Sequence, residues 1–446
     1  MSTAAPHRGY TPAAAASVVV ANMIGTGVFT SLGFQLVDIQ STFPLLLLWI
    51  VGGVAAFCGA ISYAELGSAI PRSGGEYTFL SRIYHPSAGF ISGWISSTVG
   101  FAAPTALAAM TFGAYLSSVL PAAPERGLAV GLVVALTAVH ATTHRRSGAL
   151  QTGFTALKLV LIVAFVGAAL IVTPEPQSVP LLPSAGDGRL IAGGAFAVSL
   201  IYVSYAYTGW NAATYLTSEI DDPTSRLPWI LGGGTALVMV LYVGLNYAFL
   251  RAAPMSAMSG EVEVGYIAAT YIFGPVGADI MGVTLALLLV STVSAMIVAG
   301  PRVLHVIGQD YRAFRWLGST NTDGIPVRAI LTQGALAIAF IVTAGFESVL
   351  VFSGFVLGVN SLLTVLGLFV FRIREPDAPR PYSAWAYPLT PLVYLALTLW
   401  TLVYLEIDRP LEAGYAALLV VIGAVAYGAT GRHVGSHPSD GARPDA

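Results

Sequence analysis

Two stretches of the chain set glycine beside polar residues in otherwise apolar surroundings: Met23-Ile24-Gly25-Thr26-Gly27-Val28-Phe29 and Ser204-Tyr205-Ala206-Tyr207-Thr208-Gly209-Trp210-Asn211. Such interruptions either let helices approach closely or unwind a helix and release its backbone amides and carbonyls. In hydrocarbon a released group costs several kcal/mol, so an unwound stretch must face a ligand, water or protein. A half-helix starting near Gly27 and Val28 would present free N–H groups and the positive end of its dipole, which suits a carboxylate. The half-helix ending near Met23, and the second break, would present free carbonyls, which suit an ammonium. A solute that carries both groups on one carbon is an α-amino acid.

Lys158 is the only lysine. It follows Arg146 by roughly 12 residues, about 18 Å along a helix, too far for its ammonium to reach the helix end. A charge at the bilayer centre costs on the order of 3 kcal/mol, so Lys158 is expected to face the bundle interior. Its candidate partners are Ser291, Thr292, Ser294 and the freed carbonyls of the first break. It reads either as a coupling residue that switches protonation or as a structural lysine bonded to carbonyls. No Asp or Glu falls in the middle of an apolar run, which argues against a carboxylate proton relay. Glu65 and Glu219, near the ends of runs, would form gate ion pairs with Arg72 or Arg226, or be solvated charges. His140 and His144 are four apart but lack further ligands, so no metal site is expected. With no Ser/His/Asp grouping in the runs, neither an enzyme nor a cofactor is expected.

The elements that must position these residues are membrane helices. Hydrophobic residues make up 56% of the 446 positions and charged residues 9%, with a mean hydropathy of +0.76. About twelve apolar runs long enough to span a bilayer follow one another from Ala13–Val37 to Leu411–Gly428, the sixth at Ile191–Leu216 and the eighth at Gly277–Gly300. Arginine supports this count. Of the 20 cations, fifteen fall on the side of the N-terminus, four on the other side (Arg126, Arg189, Arg251, Arg409), and Lys158 within a span. By the positive-inside rule both termini are cytoplasmic. The connection Ala252–Phe273 reads as an external lid or an ordinary surface loop. A net charge of −2 gives no support for nucleic-acid binding. Cys58, the single cysteine, excludes an intramolecular disulfide, and the first run has no small-residue cleavage site after it, so no cleaved signal peptide is expected.

The two breaks lie on spans one and six. Because five is odd, the second half would enter the bilayer inverted, which gives helices 1–5 and 6–10 as inverted repeats with two helices appended. The expected organisation is a cytoplasmic segment 1–12, a transport core 13–371, helices 11 and 12 with their connection at 372–428, and a cytoplasmic tail 429–446.

At Met23–Phe29, Tyr63–Tyr77, Phe154–Lys158, Tyr205–Asn211, Glu219–Pro228 and Arg374–Pro381 the chain resembles the amino acid-polyamine-organocation superfamily, in particular its L-type amino acid transporter branch. The resemblance implies an all-α integral membrane protein of the LeuT type, with helices 1 and 6 discontinuous, that works by alternating access. It implies that Gly25, Thr26 and Gly27 hold the substrate carboxylate through their amides. The carbonyls of Met23, Tyr205 and Thr208 would hold the α-amino group, and Tyr205, Ala206, Tyr207 and Gly209 would form the pocket and its aromatic gate. Lys158 matches the lysine that stands, in sodium-independent members, where sodium-coupled relatives bind a cation. Thr26 in place of serine and Thr208 in place of glycine would shrink or polarise the pocket. The loop Leu120–Arg126 lacks the cysteine that joins heteromeric members to a heavy subunit, so no such partner is expected. The function expected from all this is sodium-independent transport of neutral α-amino acids at the cell membrane, as an exchanger or proton-linked permease. The rivals are a cationic amino acid or polyamine transporter and a sensor that binds without flux.

Overall fold

The computed structural model describes residues 11–142 and 148–430, and its regular elements are all helices. Arg8, His144, Arg145, Arg146, Arg432 and Arg443, and with them most of the two terminal segments, lie outside the described residues. Helix α1 (Pro12–Met23) starts on proline, with the Thr11 hydroxyl accepting from the Ala14 amide at 3.3 Å. A side-chain acceptor before a first-turn proline is a favourable helix start. After the break at Ile24–Thr26 comes α2 (Gly27–Asp38), then α3 (Thr42–Ala69) and the short α4 (Glu76–Ile83). The third span is α5 (Pro86–Ile95), a π-turn at Ser96–Gly100 and α6 (Ala102–Val119).

Helices α7 (Glu125–Thr142) and α8 (Gly148–Ile171) complete the first half. The second opens with α9 (Asp187–Ala192) and α10 (Gly194–Ala206), the break at 207–211 and a 3-10 turn at Ala212–Glu219. Next come α11 (Pro223–Ala252), α12 (Met255–Met258) and α13 (Val264–Asp310). The chain ends with α14 (Val327–Thr343), α15 (Phe346–Arg374), α16 (Leu389–Asp408) and α17 (Pro410–Ala429). Among the described residues ten helices are long and apolar enough to cross a membrane, with α1 and α2 counted as one, while α10 and α14 are shorter apolar helices.

The connection after α11 departs from the expected loop. Residues 255–258 are helical, and 264–273 form the first part of α13, set off from the rest by a kink at Gly274, whose φ of 74° is a conformation open to glycine. The connection packs on α2: Gly260 donates its amide to the Gly33 carbonyl at 2.8 Å. A side chain at Gly33 would stand 2.0 Å from the Glu261 carbonyl, so only glycine permits this contact.

The end of α3 also departs from expectation. Glu65 is fully buried and pairs with neither Arg72 nor Arg226; it receives Arg372 of α15 at 2.7 and 2.8 Å and the amide of Ala384 at 2.6 Å. The Arg372 guanidinium lies 3.6 Å from the centre of the Tyr387 ring. Four residues of α3 separate Glu65 from the helix end, enough for α15 and the 375–388 connection to cover it. Glu219 is exposed. Removing one partner of a buried ion pair leaves the other uncompensated, at a cost of about 3 kcal/mol. Arg372→Leu is therefore expected to melt well below the parent protein in detergent, and Glu65→Gln/Arg372→Leu to recover part of the loss; equal melting of single and double variants would contradict this.

Candidate functional site

The two breaks interlock. A side chain at Gly27 would stand 2.5 Å from the Ala206 Cα, and one at Gly209, where φ is +99°, would stand 2.8 Å from the Asn22 backbone. The start of α2 therefore lies directly on the end of α10. Both glycines are required by these approaches, whereas a side chain at Gly25 would meet nothing nearer than the Met23 carbonyl at 4.0 Å.

At the first break the amides of Thr26, Gly27 and Val28 precede the first intrahelical donor, Phe29, and are the free donors of a helix N-terminus without a side-chain cap. The carbonyls on the other side are mostly engaged. Tyr242 of α11, fully buried, directs its hydroxyl at the Met23 carbonyl (2.5 Å) and the Ala206 carbonyl (3.2 Å), and so ties the two breaks together. The Gly25 amide also donates to Met23 at 2.8 Å. The Tyr205 carbonyl accepts from the Thr208 amide at 2.9 Å and the Thr208 hydroxyl at 2.6 Å. Thr208 thus spends its hydroxyl inside its own turn. For an ammonium to bind Met23 or Tyr205, it must displace one of these donors.

Lys158 is 5% exposed and donates to the Ile24 carbonyl at 3.0 Å and the Thr292 hydroxyl at 2.8 Å. Of its other two expected partners, Ser294 instead faces His140 at 2.8 Å, and Ser291 is buried outside the hydrogen bonds of the ammonium. Residues 292 and 294 are two apart, about 200° around a helix, so they cannot share a face. No cluster of three metal-ligating side chains occurs among the described residues.

A cavity of about 340 Å³ opens onto the breaks, within the range of small-solute sites. Met23, Gly25, Thr26, Gly27, Tyr205, Ala206, Thr208 and Gly209 all line it. Tyr207 does not: its ring turns away, and its hydroxyl donates to the Trp49 carbonyl at 3.0 Å. Glu76 and Arg302 also line it. Outside the cavity, Phe34 of α2 stacks on Tyr202 and Phe346, and the Tyr202 hydroxyl donates to Glu347 at 2.6 Å.

Glu76 and Tyr242 are the residues that sequence reasoning missed. Glu76 is 3% exposed and receives the Tyr63 hydroxyl at 3.1 Å, the Asn211 amide and the Tyr215 hydroxyl. A buried acid therefore does face the cavity. Its only signal was the preceding Gly74-Gly75, both at positive φ, which turn the chain inward. Overpacking a tight contact costs about 1–3 kcal/mol. Gly27→Ala should accordingly lower the melting temperature of the purified protein, while Gly25→Ala should leave it close to the parent; the reverse order would show that the breaks do not interlock in this way.

The sequence as a whole is similar to known proteins. The chain is 25% identical over 418 residues to the mouse (Mus musculus) b(0,+)-type amino acid transporter 1, covering 92% of this chain and 85% of that protein. It is 28% identical over 422 residues to the Mus musculus large neutral amino acids transporter small subunit 2, covering 93% and 79%. The Homo sapiens form of the latter gives 28% over 422 residues, covering 93% and 78%. Residues 11–426 match the amino acid permease family model. The chain belongs to that family of the amino acid-polyamine-organocation superfamily, whose members are multi-pass membrane transporters rather than enzymes.

Proposed function

We propose that the protein is a sodium-independent transporter of neutral α-amino acids, an exchanger or proton-linked permease with a LeuT-type fold. Its twelve spans are the ten long helices together with α10 and α14, helices 1–5 and 6–10 being the inverted repeats. The observation that carries this reading is the pair of interlocked breaks that line a single cavity, with free amides at the start of α2 and the Met23, Tyr205 and Thr208 positions beside them. The carboxylate would sit on the free amides of Thr26 and Gly27 and on that of Gly25, which would give up the Met23 carbonyl to take it. The α-amino group would take the carbonyls of Met23, Tyr205 and Thr208 in exchange for the hydroxyls of Tyr242 and Thr208.

Sodium independence rests on Lys158. Its ammonium already supplies a positive charge between Ile24 and Thr292, where a bound cation would otherwise join the first and eighth spans. The arginine distribution supports cytoplasmic termini, and with that orientation Arg302, which lines the cavity, would be on the inner side. Cys58 is buried in α3, which fits a protein without a disulfide-linked heavy subunit. The names of the relatives, which include a large neutral amino acids transporter, favour neutral substrates. Glu76 in the cavity wall is the observation on the side of a cationic substrate.

The test is counterflow in proteoliposomes loaded with an unlabelled L-amino acid, with choline replacing sodium. Saturable exchange of neutral amino acids at undiminished rate is expected. Absence of flux for the whole L-amino acid panel would overturn transport, and a requirement for sodium would overturn the role of Lys158. Lys158→Ala should slow exchange by about ten-fold or more, the worth of a charged buried hydrogen bond, while changing binding far less. Unchanged exchange would remove Lys158 from the mechanism.

A further inference from the structure

We infer that the connection between α13 and α14 holds the headgroup of an anionic phospholipid, bound by Arg312, Arg315 and Arg328 beside Trp316. The inference rests on α13 and α14 as membrane spans and does not depend on which solute the cavity takes.

The connection is fastened along its length. After α13 the amides of Phe314, Arg315, Leu317 and Gly318 each donate to the carbonyl three residues back, at 2.8 to 3.2 Å. In such a 3-10 run residues i and i+3 lie over one another. Tyr311, Phe314 and Leu317 accordingly share the inner face: the Tyr311 ring centre lies 4.6 Å from that of Phe90, and Leu317 packs with Leu304 and Ala329. A side chain at Gly308 would stand 2.2 Å from the Gly318 amide nitrogen, so the connection lies directly on α13. Arg312 and Arg315, also three apart, share another face, and both are exposed. The guanidinium of Arg328, from the first turn of α14, lies 3.5 Å from the Trp316 carbonyl and brings a third cation to the same patch.

Among the described residues none of these three arginines forms an ion pair. The one acid between Tyr311 and Leu331, Asp323, forms none either, and Asp310 at the end of α13 accepts the Tyr77 hydroxyl at 3.1 Å. Planar guanidinium groups suit phosphate, which they bind through paired N–H groups. Trp316 is 49% exposed, and an indole half in contact with its surroundings is typical of the headgroup level of a bilayer. A stripe on α14 selects a lipid over a free phosphate. Leu331, Ala335 and Val342 follow Arg328 at i+3, i+7 and i+14 and are all exposed, so one side of α14 begins with a cation and continues apolar. A phosphate on the arginines would lay its acyl chains along this stripe.

The experiment is thermal-shift titration of the purified full chain in neutral detergent with anionic palmitoyl-oleoyl phosphatidylglycerol or its zwitterionic phosphatidylcholine counterpart. An arginine beside an anionic headgroup is worth about five-fold in affinity, so with three the anionic lipid should stabilise at about ten-fold or more lower concentration. The triple variant Arg312→Gln/Arg315→Gln/Arg328→Gln should lose that preference while melting like the parent without lipid, since all three side chains are exposed. Each single variant should lose about five-fold, which keeps the test decisive if the triple variant folds poorly. Arg72→Gln/Arg226→Gln, which removes two other exposed arginines, should keep the preference. The inference is overturned by a parent protein without preference, by a preference undiminished in the triple and single variants, or by equal loss in Arg72→Gln/Arg226→Gln. Equal stabilisation by glycerol phosphate, which has no acyl chains, would overturn the lipid as occupant.

Discussion

A helix broken inside hydrocarbon must find new partners for the groups it releases, and the rest of this molecule follows from that requirement. Four of the carbonyls at the two breaks take a donor from a side chain: Met23 and Ala206 share the Tyr242 hydroxyl, Ile24 takes Lys158, and Tyr205 takes the Thr208 hydroxyl. The amides at the start of α2 receive no such help. Under the proposed reading a carboxylate would take these amides directly, whereas an ammonium at Met23 or Tyr205 would displace hydroxyls that belong to the protein.

The same requirement explains why the breaks are glycine-rich and why they touch. Gly27 against Ala206 and Gly209 against Asn22 bring two unwound segments close enough for one tyrosine hydroxyl to serve both. Tyr242 is held in turn by aromatic contacts, with Trp49 at 5.6 Å and Tyr207 at 5.0 Å between ring centres. Far from the site, Glu65 and Arg372 tie α3 to α15, while Arg82 and Arg374 bind α4 to the end of α15 and the connection beyond it. These clamps fix the frame around which the broken helices work.

Much of this was legible in the sequence, and the limits have physical causes. The first break could be read because a second glycine-and-polar stretch matches it five spans on, and Lys158 because a lone mid-span lysine demands acceptors. Tyr242 could not be read: it is one of 20 tyrosines, and nothing in its spacing shows which hydroxyl reaches a carbonyl 219 residues away. Glu76 went unread as well, because it takes the positive φ of Gly74 and Gly75, which sequence does not show, to turn it into the cavity wall. The partner of Glu65 lies 307 residues along the chain, beyond any local rule. Thr292 and Ser294 were indistinguishable until the rotation of α13 put one toward Lys158 and the other toward His140.

The central claim is that the breaks recognise both charged groups of one α-amino acid. It is tested most directly by equilibrium binding of labelled L-leucine to the purified protein. The competitors are leucinamide, which lacks the carboxylate, and 2-hydroxy-4-methylpentanoate, which lacks the ammonium. The account predicts that each analogue competes about ten-fold or more weakly than unlabelled L-leucine, since each forfeits a set of charge-assisted hydrogen bonds. Competition by either analogue as strong as that of L-leucine would contradict it.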